Sequence, residues 1–280
     1  MTDLVNILAK GCQLGASDIV LAAGSPPMVK VNGQLLPLPG FEAMTNESCR
    51  ALIYSGVYES ARSRFEEDWE LDYSFAVKGL SRFRVNVMNQ RTGISAVYRI
   101  IPGYIPTVEE IGLSPAMAQL ADLPRGLVLV TGPTGSGKST TLAAMIETIN
   151  KRHKKSILTI EDPIEFVYES AQSLVLQREV GNHTKSFKEA LRRALRQAPD
   201  VILIGEMRDF ETIQLAITAA ETGHLCFGTL HTQDCASTID RIIDVFPPQQ
   251  QQQVRAQLSL TLRAVISQML LPRKDGQGRG

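Results

Sequence analysis

The stretch GPTGSGKST, residues 132–140, decides the fold of this 280-residue chain. It fits the pattern G-x-x-x-x-G-K-[ST] and lies between the apolar run LVLVT (127–131) and the helical pattern TTLAAMIETINK (140–151). Glycines let the backbone fold so tightly that its N–H groups can surround phosphate oxygens, and the following helix adds its positive N-terminal end. The stretch therefore predicts a phosphate-binding loop between a strand and a helix.

The side chains of this loop predict the bound group. Lys138 is expected to reach the β and γ phosphates of ATP, and the Ser139 hydroxyl is expected to bind Mg²⁺. The predicted nucleotide-binding residues of the loop are Gly132, Pro133, Thr134, Gly135, Ser136, Gly137, Lys138, Ser139 and Thr140.

Four short apolar runs predict a buried parallel sheet in the second part of the chain. Amphipathic helical patterns separate the runs, including one that begins after Asp209 and ends near Gly223. This alternation indicates a doubly wound α/β domain over residues 116–280. The four runs are LVLVT (127–131), ILTI (157–160), VILI (201–204) and LCFGTL (225–230).

Acidic and histidine side chains follow these strands, whose carboxyl ends should form one edge of the sheet. Glu161, Asp162 and Glu165 follow the second run, Glu206 follows the third and His231 follows the fourth. Carboxylates at this edge can position water and Mg²⁺ beside the phosphates, and His231 can sense the γ-phosphate. The pattern predicts ATP hydrolysis and leaves open which carboxylate is catalytic.

The third run departs from the common Walker B pattern. Gly205 occupies the position where many nucleoside triphosphatases carry a metal-binding Asp, so Glu206 is expected to hold Mg²⁺ through water or to orient the attacking water. His224 precedes the fourth run and should lie roughly 23 Å from His231, because a strand separates them. The two histidines therefore cannot share a metal ion, and a structural role for His224 stays open.

The first hundred residues (1–100) predict a smaller α/β domain. The proline- and glycine-containing stretch 101–115 is expected to be an interdomain linker. Asn32-Gly33 indicates a two-residue hairpin turn. The other predicted elements are helices within 3–14 and 46–66 and strands at 70–77, 81–88 and 94–100.

Two arginines of this first domain are predicted to face each other. A turn near Arg91 places Arg84 roughly opposite Arg99 on neighbouring strands. Like charges directly opposed across strands are destabilising unless something neutralises them. The neutralising group is either a phosphate, with Arg84 and Arg99 as arginine fingers on a neighbouring subunit's nucleotide, or an acidic side chain.

Composition argues against several classes of protein. The 29 basic and 29 acidic residues give no net charge, which argues against nucleic-acid binding by the protein surface as a whole and leaves a local basic patch open. No apolar window is long enough to cross a membrane, and residues 1–18 lack the basic start and long apolar run typical of a signal peptide. Any membrane association is therefore expected to be peripheral, through partners. The cysteines form no CxxC pair, so we expect free thiols in a reducing cytosol rather than a zinc site. They are Cys12, Cys49, Cys226 and Cys235.

Four segments carry a family resemblance. They resemble the Walker A, Asp box, Walker B and His box of the secretion ATPase superfamily. Within that superfamily, the resemblance is strongest to the PilT-like type IV pilus retraction ATPases. In the same order, the segments are GPTGSGKSTTLAAMI, ILTIEDPIEFVYES, APDVILIGEMRD and TGHLCFGTLHT. The resemblance implies a PAS-like N-terminal domain, a RecA-like P-loop ATPase domain and a homohexamer. It also implies an ATP- and Mg²⁺-dependent motor for pilus retraction and twitching motility. Such a motor works with an inner-membrane platform protein and the pilus machinery, on the cytoplasmic face of the bacterial inner membrane.

The resemblance also implies residue roles. Glu165 or Glu206 would be the catalytic carboxylate, and Arg84 and Arg99 would contact phosphate. The two histidines, His224 and His231, would lie at an interdomain nucleotide site.

The chain departs from the family pattern in two places. Val20 in SDIVL replaces a histidine, and the chain ends at PRKDGQGRG (272–280), where family members continue through an AIRNLIRE-type helix linked to retraction. The C-terminal family helices are therefore expected to be missing, which leaves retraction in a cell open while ATP binding should persist. The absence of the tetracysteine metal site of assembly-type relatives favours the retraction branch.

Two other functions remain as alternatives. A nucleic-acid translocase with the same core could use a basic helix, although the chain shows no aromatic stacking platform. A non-catalytic nucleotide-binding regulator of a related motor would bind ATP without turnover. The basic residues of that helix are Lys185, Lys188, Arg192, Arg193 and Arg196.

Overall fold

The chain divides after Gly103 into two units, Met1–Gly103 and Tyr104–Gly280. The computed structural model describes residues 3–101 and 103–271 of them. The division falls inside the stretch 101–115 that the sequence predicts as a linker.

The first unit is built on an antiparallel sheet of six strands in the order β3-β2-β1-β6-β5-β4. One face of this sheet packs with the helices around a core that includes Leu8, Ile53, Phe83 and Tyr98. The elements are α1 (Leu4–Gln13), β1 (Asp18–Ala22), β2 (Met28–Val31), β3 (Gln34–Pro37), α2 (Asn46–Ser55), α3 (Glu59–Asp68), β4 (Glu70–Val77), β5 (Ser81–Gln90) and β6 (Gly93–Ile101).

Turn chemistry explains the β2–β3 hairpin. Asn32 and Gly33 have φ angles of 50° and 83°, the left-handed conformations that a two-residue hairpin turn of this type requires. Val31 pairs with Gln34 directly across the turn. The predicted hairpin is therefore confirmed.

The sequence predicts one helix over 46–66, and this prediction was wrong about its continuity. The structure has two helices there, because Gly56 caps the end of α2 and its N–H donates to the Ile53 carbonyl at 3.1 Å. A Cβ at Gly56 would lie 2.7 Å from Cδ2 of Leu4, so a side chain at this position would displace Leu4 of α1. Hydrophobic spacing alone did not show the break.

The second unit is built on a six-stranded sheet in the order β12-β7-β11-β10-β8-β9, in which every neighbouring pair is parallel. The four predicted strands are confirmed, and β9 and β12 extend the sheet at its two edges. The elements are α4 (Pro115–Ala118), β7 (Gly126–Thr131), α5 (Lys138–Arg152), β8 (Ser156–Glu161), β9 (Leu174–Glu179), α6 (Phe187–Ala194), β10 (Val201–Ile204), α7 (Phe210–Glu221), β11 (Leu225–Leu230), α8 (Cys235–Asp244), α9 (Pro248–Thr261) and β12 (Leu262–Ser267).

Helices cover both faces of this sheet. Along β7, Leu127 and Leu129 belong to one hydrophobic cluster, whereas Val128 and Val130 belong to another on the opposite face. Side chains of a strand alternate between the two faces, so burial on both explains the uninterrupted apolar runs. The carboxyl ends of β7, β8, β10 and β11 meet at one edge, where the site lies.

Within residues 3–101 and 103–271, none of the helices combines the length and hydrophobicity needed to cross a lipid bilayer. The four cysteines are free thiols, as predicted. Burial raises the pKa of Cys226 to about 12 and that of Cys49 to about 11, so both stay protonated at neutral pH.

Candidate active site

The loop between β7 and α5 has the backbone of a phosphate cradle. Gly132, Gly135 and Gly137 have φ angles of 140°, 78° and 88°, which side-chain-bearing residues rarely adopt. A Cβ at Gly132 would lie 2.1 Å from the carbonyl oxygen of Gln268, so the loop is closed against the end of β12. The strand–loop–helix context predicted from the sequence is confirmed.

Lys138 is the first residue of α5 and is buried. Its Nζ donates to the carbonyl oxygens of Gly132 at 2.8 Å and Pro133 at 3.0 Å, which holds the ammonium over the loop. Burial lowers the pKa of Lys138, and the charges of Glu206 and Glu165 partly offset that effect. The ammonium and these two carboxylates therefore share one electrostatic environment.

A buried hydroxyl supports the fit of a phosphate to this loop. Ser136 is 3% exposed, and its Oγ has no hydrogen-bond partner among the described residues. Buried polar atoms are nearly always hydrogen-bonded, so an orphaned hydroxyl in a glycine-rich loop fits a phosphate oxygen. Ser139 and Thr140 are partly exposed in the first turn of α5, where a hydroxyl can also bind Mg²⁺.

Glu206 follows β10, and its carboxylate contacts the side chains of Arg208 and His231. Its Oε1 accepts a hydrogen bond from Nε of Arg208 at 2.5 Å and lies 3.1 Å from Nε2 of His231, which follows β11. These residues line a cavity of about 360 Å³ that Arg241 of α8 also borders. The carboxylate is thus fixed at the sheet edge with only 20% of its side chain exposed.

Glu161, at the end of β8, has different surroundings. It is buried, its Oε1 accepts from the Thr159 hydroxyl at 2.6 Å and from Nε2 of Gln177 at 3.2 Å, and its Oε2 accepts from the Glu165 N–H at 3.4 Å. Burial raises the pKa of Glu161 despite these hydrogen bonds. Asp162 and Glu165 follow it and are exposed.

The arginine pair of the first unit has the predicted register. Arg84 of β5 is directly opposite Arg99 of β6. Nε of Arg99 forms an ion pair with Oδ1 of Asp18 at 2.9 Å, so an acidic side chain neutralises Arg99 within this unit. Arg84 forms no ion pair within the described part of the chain, and the phosphate-contact hypothesis applies better to it.

Known proteins resemble this chain over nearly its whole length. Residues 59–279 match the family model described as "Type II/IV secretion system protein". The chain is 54% identical over 279 residues to the type IV pilus retraction ATPase PilT of Pseudomonas aeruginosa, covering 99% of this chain and 80% of that protein. It is 52% identical to a twitching motility protein of Neisseria gonorrhoeae, covering 90% and 67% of the two chains.

The chain belongs to the type II/IV secretion ATPase family.

Solved structures of this family share the fold. A crystal structure titled as the pilus retraction motor PilT with bound ADP superposes with a TM-score of 0.96 at 50% identity, covering all of this chain and 81% of that one. The Legionella pneumophila ATPase DotB gives a TM-score of 0.86 at 32% identity, covering 98% and 79% of the chains. This secretion ATPase is an ATP-hydrolysing enzyme.

Packing explains why this secretion ATPase has glycine at the usual Walker B aspartate position. A Cβ at Gly205 would lie 3.2 Å from Cα of Glu161 and 3.3 Å from the Ile160 carbonyl oxygen. Real Cβ contacts are rarely this short, so a side chain at 205 would require the end of β8 to shift by a few tenths of an ångström. The first carboxylate after β10 is that of Glu206.

The two histidines lie at opposite ends of β11. His231 joins the Glu206 cavity, but His224 lies at the amino end of the strand, away from the P-loop edge of this unit. Nδ1 of His224 lies 2.9 Å from the Ala219 carbonyl oxygen and 3.2 Å from Oγ1 of Thr222. These contacts fix the turn between α7 and β11, which is a structural role within the unit.

Sequence reasoning did not single out five residues that contact the site. Arg208 and Arg241 border the cavity, Gln268 packs on the loop, and Thr131 and Thr232 join the loop to the His231 segment. Arg208 could have been found in the quoted motif GEMRD. The others depend on contacts between distant parts of the chain, such as Thr131 and Thr232, which are 101 residues apart.

Proposed function

We propose that this secretion ATPase is the motor that powers type IV pilus retraction, and thereby twitching motility. The observation that carries the proposal is the convergence of Lys138, Glu206 and His231 at one sheet edge of a chain that resembles retraction ATPases over nearly its whole length. The first unit would be a PAS-like domain and the second a RecA-like domain. The motor would be a homohexamer that acts on an inner-membrane platform protein at the cytoplasmic face of the membrane.

We infer roles for the site residues from their surroundings. Residues 132–140, with Lys138 foremost, bind the phosphates of ATP, and Ser139 with Glu206 would hold Mg²⁺. When bound, Mg²⁺ would neutralise charge on the phosphates. The absence of any cluster of three or more His, Cys, Asp or Glu side chains suited to a metal, within the described residues, agrees with this, because Mg²⁺ is commonly held by one or two protein groups plus phosphates.

The catalytic carboxylate is proposed to be Glu206. Arg208 and His231 fix its position, whereas Glu165 is exposed and Glu161 is buried and accepts three hydrogen bonds. A fixed carboxylate can orient the attacking water, which is the main task of a base in phosphoryl transfer. His231 would sense the γ-phosphate, Asp162 would support the nucleotide site, and Arg84 would contact phosphate, whereas Arg99 is already paired with Asp18.

Lys138→Ala provides the test. The substitution removes the charge that stabilises the β and γ phosphates, so the purified protein should lose ATP hydrolysis. In a pilus-bearing bacterium that lacks its own retraction ATPase, the wild-type chain extended by the C-terminal helices of a retraction ATPase should restore twitching, and the same protein with Lys138→Ala should not. Normal turnover in the variant would reject the site, and turnover without any rescue by the extended wild-type protein would reject retraction as the function.

The translocase alternative has less support. Two of the five basic residues around α6 are paired with carboxylates, Lys188 with Glu211 at 3.0 Å and Arg193 with Glu189 at 3.5 Å. Stimulation of the ATPase by single-stranded DNA with a steep salt dependence would revive it. Measurable turnover would exclude the non-catalytic regulator.

A further inference from the structure

Three threonine hydroxyls form a continuous chain behind the P-loop. Oγ1 of Thr131, the last residue of β7, lies 2.6 Å from Oγ1 of Thr232, two residues after β11. Oγ1 of Thr232 lies 2.6 Å from Oγ1 of Thr238 in α8, and Thr238 Oγ1 lies 2.6 Å from the Asp234 carbonyl oxygen. Thr131 and Thr238 are completely buried.

Thr232 is the central member of this chain. Each hydroxyl has one proton, and only two arrangements place a proton in both hydroxyl–hydroxyl contacts while giving each of the three protons an acceptor. In one, Thr131 donates to Thr232, Thr232 to Thr238, and Thr238 to the Asp234 carbonyl. In the other, Thr238 donates to Thr232, Thr232 to Thr131, and Thr131 to the Thr232 carbonyl at 2.7 Å. In both, the Thr232 hydroxyl donates one hydrogen bond and accepts one.

This chain joins the parts of the site that act on ATP. Thr131 directly precedes Gly132 of the P-loop, and Thr232 directly follows His231. A fourth threonine, Thr229 of β11, connects the same strand to the end of β10, because its hydroxyl donates to the Gly205 carbonyl at 2.5 Å. The N–H of Met207 in turn donates to the Thr229 carbonyl at 3.0 Å. Glu206 lies between Gly205 and Met207, the two residues that make these contacts with Thr229.

We propose that Thr232 is a positioning residue that couples the P-loop to the Glu206–His231 pair. A movement of the loop on binding the nucleotide would pass through the Thr131–Thr232 hydrogen bonds to the segment that carries His231. This inference rests on the proposed hydrolysis at this site and adds the route by which the loop sets its catalytic geometry. Thr232 would affect the chemical step more than the binding of nucleotide.

Thr232→Val and Thr232→Ser test the coupling. Valine has nearly the same shape as threonine but breaks both hydrogen bonds, so kcat should fall about tenfold to a hundredfold. The dissociation constant for ADP should change less than about threefold, because the phosphate cradle remains. Serine keeps the hydroxyl and should hold kcat within about threefold of the wild type.

Controls separate coupling from a general loss of structure. Thr218→Val removes a helical threonine hydroxyl that donates only to the Gln214 carbonyl, and it should leave kcat unchanged. Thr131→Val combined with Thr232→Val should lower kcat no further than the worse single variant, within about twofold, because both break the same connection. If Thr232→Val does not fold, Thr232→Cys replaces the hydroxyl with a weak donor, and kcat should still fall at least about fivefold.

Three results would overturn the proposal. They are an unchanged kcat in Thr232→Val or Thr232→Cys, a loss of ADP affinity that matches the loss of kcat, and a failure of serine to restore turnover. Lys138→Ala distinguishes this failure from that of the site itself. Lost turnover in Lys138→Ala with normal turnover in Thr232→Val rejects the coupling alone, whereas normal turnover in both rejects the proposed site as well.

Discussion

At the scale of single residues, the surroundings of Glu161 and Glu206 distinguish two carboxylates that the sequence pattern does not. Glu161 and Glu206 each follow a central strand, and the sequence could not choose between them. Glu161 is enclosed and accepts hydrogen bonds from Thr159 and Gln177, whereas Glu206 is partly exposed and held by Arg208 and His231. The first arrangement encloses the carboxylate, and the second leaves a fixed carboxylate beside the cavity at the sheet edge.

Glu206→Gln tests that assignment. The amide keeps the size of the side chain but cannot act as a charged acceptor, so kcat should fall about a hundredfold or more while ADP binding persists. Steady-state hydrolysis and ADP titration measure the two quantities. Glu165→Gln is the matched comparison, and a severe loss there with normal turnover in Glu206→Gln would transfer the role to Glu165.

Glu161→Gln should stabilise the protein at neutral pH. Burial raises the pKa of Glu161 above its ordinary value of 4.5, so ionisation opposes folding. The stability contribution of this carboxyl is complete below the unfolded-state pKa and is lost as pH rises through the higher folded-state pKa. Glutamine stays neutral, and its carbonyl oxygen can still accept from Thr159 and Gln177.

Urea unfolding at several pH values measures this effect. The midpoint of Glu161→Gln should exceed that of the wild type at pH 7, and the difference should disappear below about pH 4.5. Glu169→Gln changes an exposed carboxylate and should shift the free energy of unfolding by less than about 0.5 kcal/mol. A stabilisation that persists unchanged in acid would show that charge burial is not its cause.

At the scale of elements, burial decides which strands a sequence reveals. The four central strands were predicted because both of their faces are covered, which makes their sequences continuously apolar. At one edge, β9 exposes Leu174 and Leu176 and ends in polar residues, so it has no such run. At the other edge, β12 begins at Leu262 directly after α9 ends at Thr261, with no turn residue to mark the change.

The positions of the site residues along the chain explain which of them could be predicted from the sequence. The P-loop is contiguous, so its nine residues could be predicted together. The contacts that complete the site, Thr131 with Thr232 and Gly132 with Gln268, join the ends of different strands. They follow from strand order, which hydrophobic runs do not specify.

Gly205→Ala tests the close packing of β10 on β8. The added methyl group would meet Cα of Glu161 at 3.2 Å, so the strands must separate or distort, at a cost of about 1–3 kcal/mol in the free energy of unfolding. Gly103→Ala is the control, because a Cβ there meets open space. Equal stability of the two variants in urea would show that the packing tolerates a side chain at position 205.

At the scale of the whole molecule, the proposed homohexamer makes a prediction about Arg84. In a ring built from head-to-tail contacts, each interface joins two different surfaces, so one subunit can complete the site of the next. Arg84 faces Arg99 without an ion pair of its own among the described residues, which suits a partner that carries negative charge. A neighbouring nucleotide would supply that charge, as arginine fingers do in other nucleoside triphosphatases.

Mixing Arg84→Ala with Lys138→Ala subunits tests action between subunits. Each variant alone should be inactive, but an interface that combines Lys138 from one subunit with Arg84 from the other is complete. Random mixing in equal amounts should restore about a quarter of the wild-type rate, because about a quarter of the interfaces have this composition. Arg91→Ala, which changes an exposed turn arginine, should hydrolyse ATP normally. A mixture that stays inactive under conditions where subunits exchange would show that Arg84 does not act on a neighbour's nucleotide.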